Sequence, residues 1–546
     1  MTLFERILTA RGLMTRAARQ AFLQPDYMAV KHDPFLLPDM KKAVARLKQA
    51  REQGEKIVIY GDYDIDGLSA TALLLDAFGK FGFEDVDAFI PNRFVEGYGM
   101  TMGAVDKVHD MGADLIVTVD TGSLCHAEIA YATSLGIDTV VTDHHNVAET
   151  PPPSVAAVNP KFSGHTYPFR DLCGAGVAFK LVQALQTELD GLPDGYEKWL
   201  LDLVALGTVC DIVTLVDENR ANVYWGLEVL RKQQRPGLKA LMAVAGIEPE
   251  QVNARHLGFG LGPRMNAAGR LETAQHALDM LVARDGLAAL EASEKLEELN
   301  VKRRGIQDAI FEEACVQAEE LENDRVLVVS SDGWNHGVIG IVASKLVEKY
   351  KKPVFIIGER GEEATGSARS FGDFSAADAV RAADDIIIKG GGHGAAAGVT
   401  LATEKIGDFR QRVNEFYDSL QLTNQERYLL PRADVKIDDF SEINEELVAN
   451  LAKMEPFGNG NPEPVVKITT AIVLSARRMG ADGQHVKLAL RDKNGKVLQM
   501  LAFNAPEEFF REPGDEVAAW FQPTINEWQG VRTVEGRLLH VQYLSI

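Results

Sequence analysis

Lys56-Ile-Val-Ile-Tyr60 runs directly into Gly61-Asp62-Tyr63-Asp64-Ile65-Asp66-Gly67, and Leu68 to Phe81 follow with helical apolar spacing. A short apolar strand, a polar loop and a helix, in that order, form one repeat of an α/β fold built on a parallel sheet. The pattern recurs. Asp114-Leu-Ile-Val-Thr-Val119 reads as a second strand, ending at Asp120, and Asp138-Thr-Val-Val-Thr142 as a third, ending at Asp143. In such sheets functional residues gather in the loops at the carboxyl ends of the strands. Here each of the three ends carries a carboxylate.

Working outward, Leu287 to Asp324 is rich in Ala, Glu, Leu and Lys, lacks Pro and has one interior glycine, Gly305. It predicts a long exposed or linking helix. A second α/β unit follows. Arg325-Val-Leu-Val-Val-Ser330 and Pro353-Val-Phe-Ile-Ile357 are its strands, and Val338 to Tyr350 is the helix between them. From about Pro462 the character changes to short β-like runs, Val465–Leu474, His485–Leu490, Val497–Phe503 and Arg532–His540. Turn signals at Asp482-Gly483 and Asn494-Gly495 separate them, which suggests a small barrel or sandwich. The expected architecture is therefore α/β: a parallel-sheet domain over 1–285, a connecting helix over 286–324, a second α/β domain over 325–425 and a C-terminal β-barrel region over 426–546.

The 546 residues suffice for roughly three or four domains. With 46% hydrophobic and 25% charged residues, the composition is that of a soluble globular protein. No apolar run approaches the ~20 residues of a membrane helix, so no membrane role is expected. Met1 to Arg19 carry basic residues with no apolar block and cleavage site behind them, so no signal peptide is expected. Cys125, Cys173, Cys210 and Cys315 are far apart and form no CxxC pair. That argues against a disulfide framework or a structural zinc site and points to the reducing cytoplasm. The net charge of -22 counts against general nucleic-acid binding. Carboxylates gathered for a metal add negative charge that bound cations offset locally.

Four segments carry the chemistry: Asp62-Tyr-Asp-Ile-Asp66, Val119-Asp-Thr-Gly122, Thr142-Asp-His-His145 and Gly207-Thr-Val-Cys-Asp211. Three aspartates at alternate positions repel one another at neutral pH unless a cation lies among them. Hard divalent cations take oxygen ligands, and imidazole shifts the preference toward manganese. Such a set can hold two ions that activate water and steady a phosphate. Each segment alone has a plainer reading. A lone DxD loop is commonly a turn or cap, and adjacent histidines in a strand point to opposite faces. Their ordered recurrence at successive strand ends favours the metal centre.

This order of segments resembles the DHH phosphoesterase superfamily. Later segments resemble its RecJ family in particular. Gly262-Pro-Arg-Met-Asn-Ala-Ala-Gly-Arg270 is similar to a GPR-x-NAAGR motif, and Trp334-Asn-His-Gly-Val-Ile-Gly-Ile-Val-Ala-Ser344 to W-x-xGVIGIVAS. Gly366-Ser-Ala-Arg-Ser370 and Gly390-Gly-Gly-His393 resemble a DHHA1-type domain, and Pro456-Phe-Gly-Asn-Gly-Asn-Pro462 the entry to an OB-fold. The resemblance spans roughly Asp33 to the C-terminus. It implies two Mn2+ or Mg2+ ions held by Asp64, Asp66, Asp120, His144 and Asp211, with Asp120 as the bridge. His145 would lie near the scissile phosphate or leaving oxygen, and Asp62 and Asp143 would orient ligands or histidines. Thr121 departs from the family's usual Asn at a position not expected to bind metal.

The resemblance also implies a grip on the strand. Arg93, Ser367 and Arg369 would hold its 5′-phosphate, Arg264, Asn266 and Arg270 would touch its backbone, and the Gly391-Gly392-His393 loop would offer donors to a phosphate. Without the family, each arginine reads as a surface or ion-pairing residue and the glycine loop as a tight turn. From Lys467 to Lys496 there are seven basic residues against two acidic ones, a locally basic stretch that suits single-stranded nucleic acid. The expected activity is 5′-3′ exonucleolytic hydrolysis of single-stranded DNA, by a cytoplasmic monomer with a single-strand binding protein and a helicase as partners. A phosphodiesterase of short oligonucleotides or cyclic dinucleotides is the alternative. A binding module that has lost its chemistry is disfavoured, because the acidic residues are all present.

Overall fold

The computed structural model describes residues 1–546 apart from Tyr98, Asn424, Ser545 and Ile546, and apart from the side chain of Glu426. By internal packing the chain falls into two compact units, Met1–Gly262 with Leu430–Ile546, and Pro263–Leu429. Residues 263–285, grouped by sequence with the first domain, pack within the second unit.

The first unit is built on five strands, β1 (Ile57–Gly61), β2 (Val86–Phe89), β3 (Leu115–Val119), β4 (Asp138–Thr142) and β5 (Ala156–Val158), in the order β2-β1-β3-β4-β5. All neighbours are parallel. β1 and β3 are buried at every position, which is why they read as unbroken apolar runs and not as alternating ones. Helix α1 (Ile65–Phe81) follows β1. The Asp64 side chain caps it, accepting from Asp66 N at 2.9 Å and Gly67 N at 3.1 Å. α1 packs against α2 (Gly174–Leu185) and α3 (Leu201–Cys210). All three are almost wholly buried, so they anchor the strand-end loops rigidly. Phe78, Phe81 and Phe179 are among the largest fully buried side chains, and truncating one such phenylalanine typically costs about 3–5 kcal/mol.

A lysine lies buried inside this layer. Lys180 of α2 is paired with Glu218 and donates to His32 O at 2.9 Å. Glu218 also accepts from the Tyr167 hydroxyl and from His32 N. The knot fastens the segment before β1 to the core.

The same unit holds the C-terminal barrel. Strands β12 (Val466–Met479), β13 (His485–Arg491), β14 (Val497–Ala502), β16 (Val531–Tyr543) and β15 (Glu516–Trp528) pair in that order, and a β12–β15 pairing closes the ring. β11 (Val435–Ile437) adds to β12 in parallel. The two predicted turns fall where expected, with Gly483 at φ +66° and Gly495 at φ +87°. The first helix of the chain, Leu3–Ala10, packs Leu3, Ile7 and Leu8 into the barrel core beside Phe440 and Phe521.

The second unit contains the long helix α4 (Gly286–Glu320), capped by Asp285. Its sheet runs β6 (Leu327–Asp332), β7 (Val354–Arg360), β8 (Glu363–Arg369), β10 (Ala396–Ala402), β9 (Ile387–Gly392). Only β6 and β7 are parallel there among the described residues. The two-residue link Gly361-Glu362 between β7 and β8 permits nothing but an antiparallel pair. Among the described residues no helix is long and apolar enough to cross a membrane.

Candidate metal centre

The four acidic segments converge at the carboxyl edge of the first sheet. Ligand-capable atoms fall into three close groups, Asp66–His144–Asp211, Asp62–Asp64–Asp120 and Asp120–His144–His145, each with its atoms within 4.8 Å of one another. Asp120 and His144 each belong to two groups. Asp120 Oδ1 lies 3.0 Å from His144 Nε2, which in turn lies 3.7 Å from Asp66 Oδ2 and 3.6 Å from Asp211 Oδ2. Asp120 is 1% exposed, and neither of its oxygens nor His144 Nε2 has a hydrogen-bond partner among the described residues. Buried lone pairs facing one another at that distance need a cation or a proton between them. The donor set, carboxylates with one imidazole, fits Mn2+ or Mg2+. Asp62 also falls in one of these groups, with Asp64 and Asp120.

Local structure explains the placement. Asp120 follows the last residue of β3 with φ 61°, a left-handed conformation that Asp tolerates better than most residues. Asp66 sits in the first turn of α1, and both its oxygens are held by the start of α2: Gly174 N donates to Oδ2 at 2.5 Å and Ala175 N to Oδ1 at 2.8 Å. An anion at a helix N-terminus is stabilised there. Gly174 touches the other carboxylate as well, since a Cβ on it would lie 2.5 Å from Asp120 Cβ. His144 and His145 stand beyond the end of β4, where strand alternation no longer applies. Both rings turn toward Asp120, with His145 Nδ1 3.8 Å from Asp120 Oδ1. Asp143 accepts from the backbone of His144 at 2.7 Å and of His145 at 3.1 Å, from His145 Nδ1 at 2.9 Å and from Ser123 N at 2.9 Å.

The electrostatics follow from burial and crowding. Burial and the Asp64 charge push Asp62 up to about 7 and Asp66 up to about 6. Burial and the Asp66 charge push Asp211 up to about 8, and raise Asp120 well above the usual carboxylate range. Burial and its charged neighbour hold His144 down at about 4, so its imidazole is neutral and able to coordinate. For His145 burial is opposed and outweighed by the Asp143 hydrogen bond and charge, which lift it to about 9. Asp143 itself is held below the usual range, its burial outweighed by the bonds from His145 and Ser123. The two adjacent histidines thus carry opposite protonation at neutral pH.

Arg93 stands over the Tyr63 ring, 4.5 Å from its centroid, and donates to the Tyr63 hydroxyl at 2.9 Å. Its charge is felt at Asp62, so it lies beside the centre. Tyr98, in the stretch around Arg93, lies outside the described residues. In the second unit, Arg369 Nη1 donates to Ser367 Oγ at 3.1 Å and to Ala368 O at 2.8 Å on β8. Burial lowers its affinity for its proton. Arg264 Nε is 2.5 Å from Glu297, Arg270 donates to Gly337 O at 2.8 Å, and Asn266 lies between them on the helix Gly262–Leu271. Gly391 and Gly392 end β9 and pair with β10, and exposed His393 opens the hairpin turn, its N–H donating to Ala396 O at 2.8 Å. The tight-turn reading of that loop is the one its backbone bonds express.

Some of the site was not anticipated. The start of α2 gave no signal, because its contribution is backbone N–H groups. Buried Asn159, just past β5, donates to His145 O at 3.0 Å and Ser123 Oγ at 2.8 Å. Lys161 is close enough for its charge to act on His144 and Asp211. A fourth strand end therefore contributes, and a residue after an apolar triplet as short as β5 was its one available signal.

Residues 56–208 match the DHH family N-terminal domain, 323–419 the DHHA1 domain and 433–540 the RecJ OB domain. The single-stranded-DNA-specific exonuclease RecJ of Escherichia coli (strain K12) is 35% identical over 525 residues, covering 91% of this chain and 89% of that protein. This chain belongs to the RecJ family. The RecJ of Bacillus subtilis (strain 168) is 39% identical over 528 residues, which are 96% of this chain and 65% of that protein; the chain thus spans just under two thirds of that relative's length. The crystal structure of RecJ in complex with Mn2+ from Thermus thermophilus matches with a TM-score of 0.82 at 30% identity, over 100% of this chain and 78% of that one.

Proposed function

We infer that this chain is a metal-dependent exonuclease that hydrolyses the phosphodiester bonds of single-stranded DNA. The observation that carries the reading is the buried Asp120 carboxylate, whose Oδ1 lies 3.0 Å from His144 Nε2 while neither oxygen has a hydrogen-bond partner among the described residues, in a chain whose relatives are named single-stranded-DNA-specific exonucleases. Asp66, Asp211 and His144 would hold one ion and Asp62 and Asp64 the other, with Asp120 between them. Mn2+ or Mg2+ bound there supplies an activated water and offsets charge on the phosphate.

The protein's own groups do the rest. Neutral His144 offers a lone pair. His145, kept charged by Asp143, is placed to give a proton to the leaving oxygen. Arg93, steadied on Tyr63, offers a guanidinium to a phosphate. In the second unit Ser367 and Arg369 are proposed as phosphate donors, Arg264, Asn266 and Arg270 as strand contacts, and Gly391, Gly392 and His393 as a further backbone contact. The 5′-3′ direction rests on resemblance, as do a cytoplasmic setting, a monomeric state, and a single-strand binding protein and helicase as partners. The match to a RecJ-type barrel speaks against the oligonucleotide or cyclic-dinucleotide phosphodiesterase.

The test is a Mn2+-supplemented assay on 5′- and 3′-labelled single and double strands. Wild type should release nucleotides from single strands, beginning at the 5′ end, and Asp66→Ala and His144→Ala should fold but lose that release. Undiminished digestion by either variant would exclude this centre.

A further inference from the structure

The Pro456–Pro462 segment announced only the barrel when read as sequence, yet in the structure it lies on the loop that follows Asp211. Leu215 N donates to Asn459 O at 2.7 Å, and Asn459 Nδ2 donates to Ile212 O at 2.8 Å. Ile212 immediately follows a carboxylate of the metal centre. Its φ is 59° and its side chain is exposed, at 68%. A left-handed residue just past a helix end is ordinarily glycine, and for a β-branched residue that conformation is a genuine outlier. Burial of the side chain does not hold Ile212 there. Hydrogen bonds to its backbone do: Ile212 N donates to Val209 O at 3.3 Å, and the Ile212 carbonyl accepts from Asn459 Nδ2. The far end of the loop is pinned independently, with Thr214 N donating to Asp171 at 3.0 Å and Asn219 Nδ2 to Thr214 O at 3.0 Å. The Asn459 turn is itself fixed, since Asn461 Nδ2 donates to Met454 O at 2.9 Å and Pro456 O at 2.8 Å, and Asn461 Oδ1 accepts from Arg11 at 2.8 Å.

We propose that Asn459 is a positioning residue for the metal centre: by holding the Ile212 carbonyl it keeps Ile212 left-handed and so keeps Asp211 beside His144. Strain at a functional site persists where the surroundings over-determine it, and Asn459 supplies that constraint from the segment leading into the barrel. The proposal rests on the reading of Asp211 as a metal ligand.

The test uses the full chain, stripped of metal and titrated calorimetrically with Mn2+. Loss of a group hydrogen-bonded to a ligand costs roughly 10–100-fold in metal affinity; Asn459 acts one residue away, through Ile212, so Asn459→Ala should bind Mn2+ more weakly by about tenfold, the low end of that range. Its far-UV circular dichroism and melting temperature should stay near wild type, and its amides over 212–216 should exchange faster. Asn459→Asp, of the same shape but without the donor, should lose at least as much. The discriminating variant adds Ile212→Gly to Asn459→Ala. Glycine adopts the left-handed conformation without the Cβ penalty, so the double variant should regain most of the lost affinity although the Asn459 bond is still missing. Ile212→Gly alone should bind no tighter than wild type. Wild-type Mn2+ affinity in Asn459→Ala, or no recovery in the double variant, overturns the proposal. Failure of the wild-type chain to bind Mn2+ would overturn the metal reading, and the proposal with it.

Discussion

Replacing Gly174 by alanine adds one methyl group at the place where α2 meets two carboxylates. The Cβ would lie 2.5 Å from Asp120 Cβ and 2.6 Å from Asp120 Oδ1. Carbon atoms rest comfortably at ~3.5 Å, so Asp120 or the start of α2 must give way by roughly 1 Å. Asp120 is buried and its strand is covered on both faces, so the carboxylate has little room to retreat without leaving His144. A displacement of ~1 Å in a catalytic arrangement costs on the order of 100-fold in rate, or about 2.7 kcal/mol at 1.36 kcal/mol per factor of ten. Alanine is a better helix former than glycine by up to ~1 kcal/mol, which works against the overpacking cost of ~1–3 kcal/mol. The melting temperature should therefore move little while kcat/KM for Mn2+-dependent digestion of a labelled single strand falls about 100-fold. Mn2+ affinity, read calorimetrically, should fall too. A folded Gly174→Ala protein with wild-type kcat/KM and wild-type Mn2+ affinity would refute the claim that Asp120 is fixed by this contact.

Other perturbations test other parts of the centre. Asp143→Asn keeps an acceptor oxygen but removes the charge that helps outweigh burial at His145, so the His145 pKa should fall well below about 9; an NMR titration of the imidazole signals reads this directly. Asp62, Asp66 and Asp211 have folded pKa values of about 7, 6 and 8, above the ~3.9 of an unfolded chain. Folded protein without metal thus keeps protons that unfolded protein has lost. Its stability should be greatest near pH 4 and decline as pH rises to about 8, seen as falling melting temperatures in chelator; added Mn2+ should reverse the trend and release protons. Lys180→Met leaves Glu218 buried beside Tyr167 without its cation, a loss of about 3–5 kcal/mol. Denaturant unfolding should show it, with Mn2+ affinity in the folded protein unaltered.

Much of this centre was legible because a parallel sheet turns chain order into spatial order: apolar runs ending at Asp62, Asp120 and Asp143 had to deliver those residues to one edge. What escaped was chemistry written in backbone. Cys173-Gly-Ala175 gives no hint that its N–H groups will clamp Asp66, and Gly458-Asn-Gly460 none that it will reach Ile212. Adjacent histidines looked divergent under strand geometry, but the chain leaves β4 before reaching them. β15 was hidden by Pro523, which ordinarily argues against a strand. It is tolerated because β12 pairs with β15 only through Phe521, so from Gln522 onward β15 has β16 alone as its neighbour. The mixed sheet of the second unit was masked by Gly-rich strands with little apolar alternation, as in Gly390-Gly-Gly392.

The left-handed backbone of Asp120 bears on how such a protein could lose its chemistry by descent. Asparagine and glycine accept that conformation readily, and alanine or a branched residue only at a steric cost. A lineage retaining this scaffold for binding alone therefore has two silent doors at position 120, through which the charge disappears while β3 and its turn stay as they are. Other replacements would disturb the turn and the chemistry together. The same asymmetry makes Asp120→Asn the clean probe of charge, and Asp120→Ala a probe of charge and backbone at once.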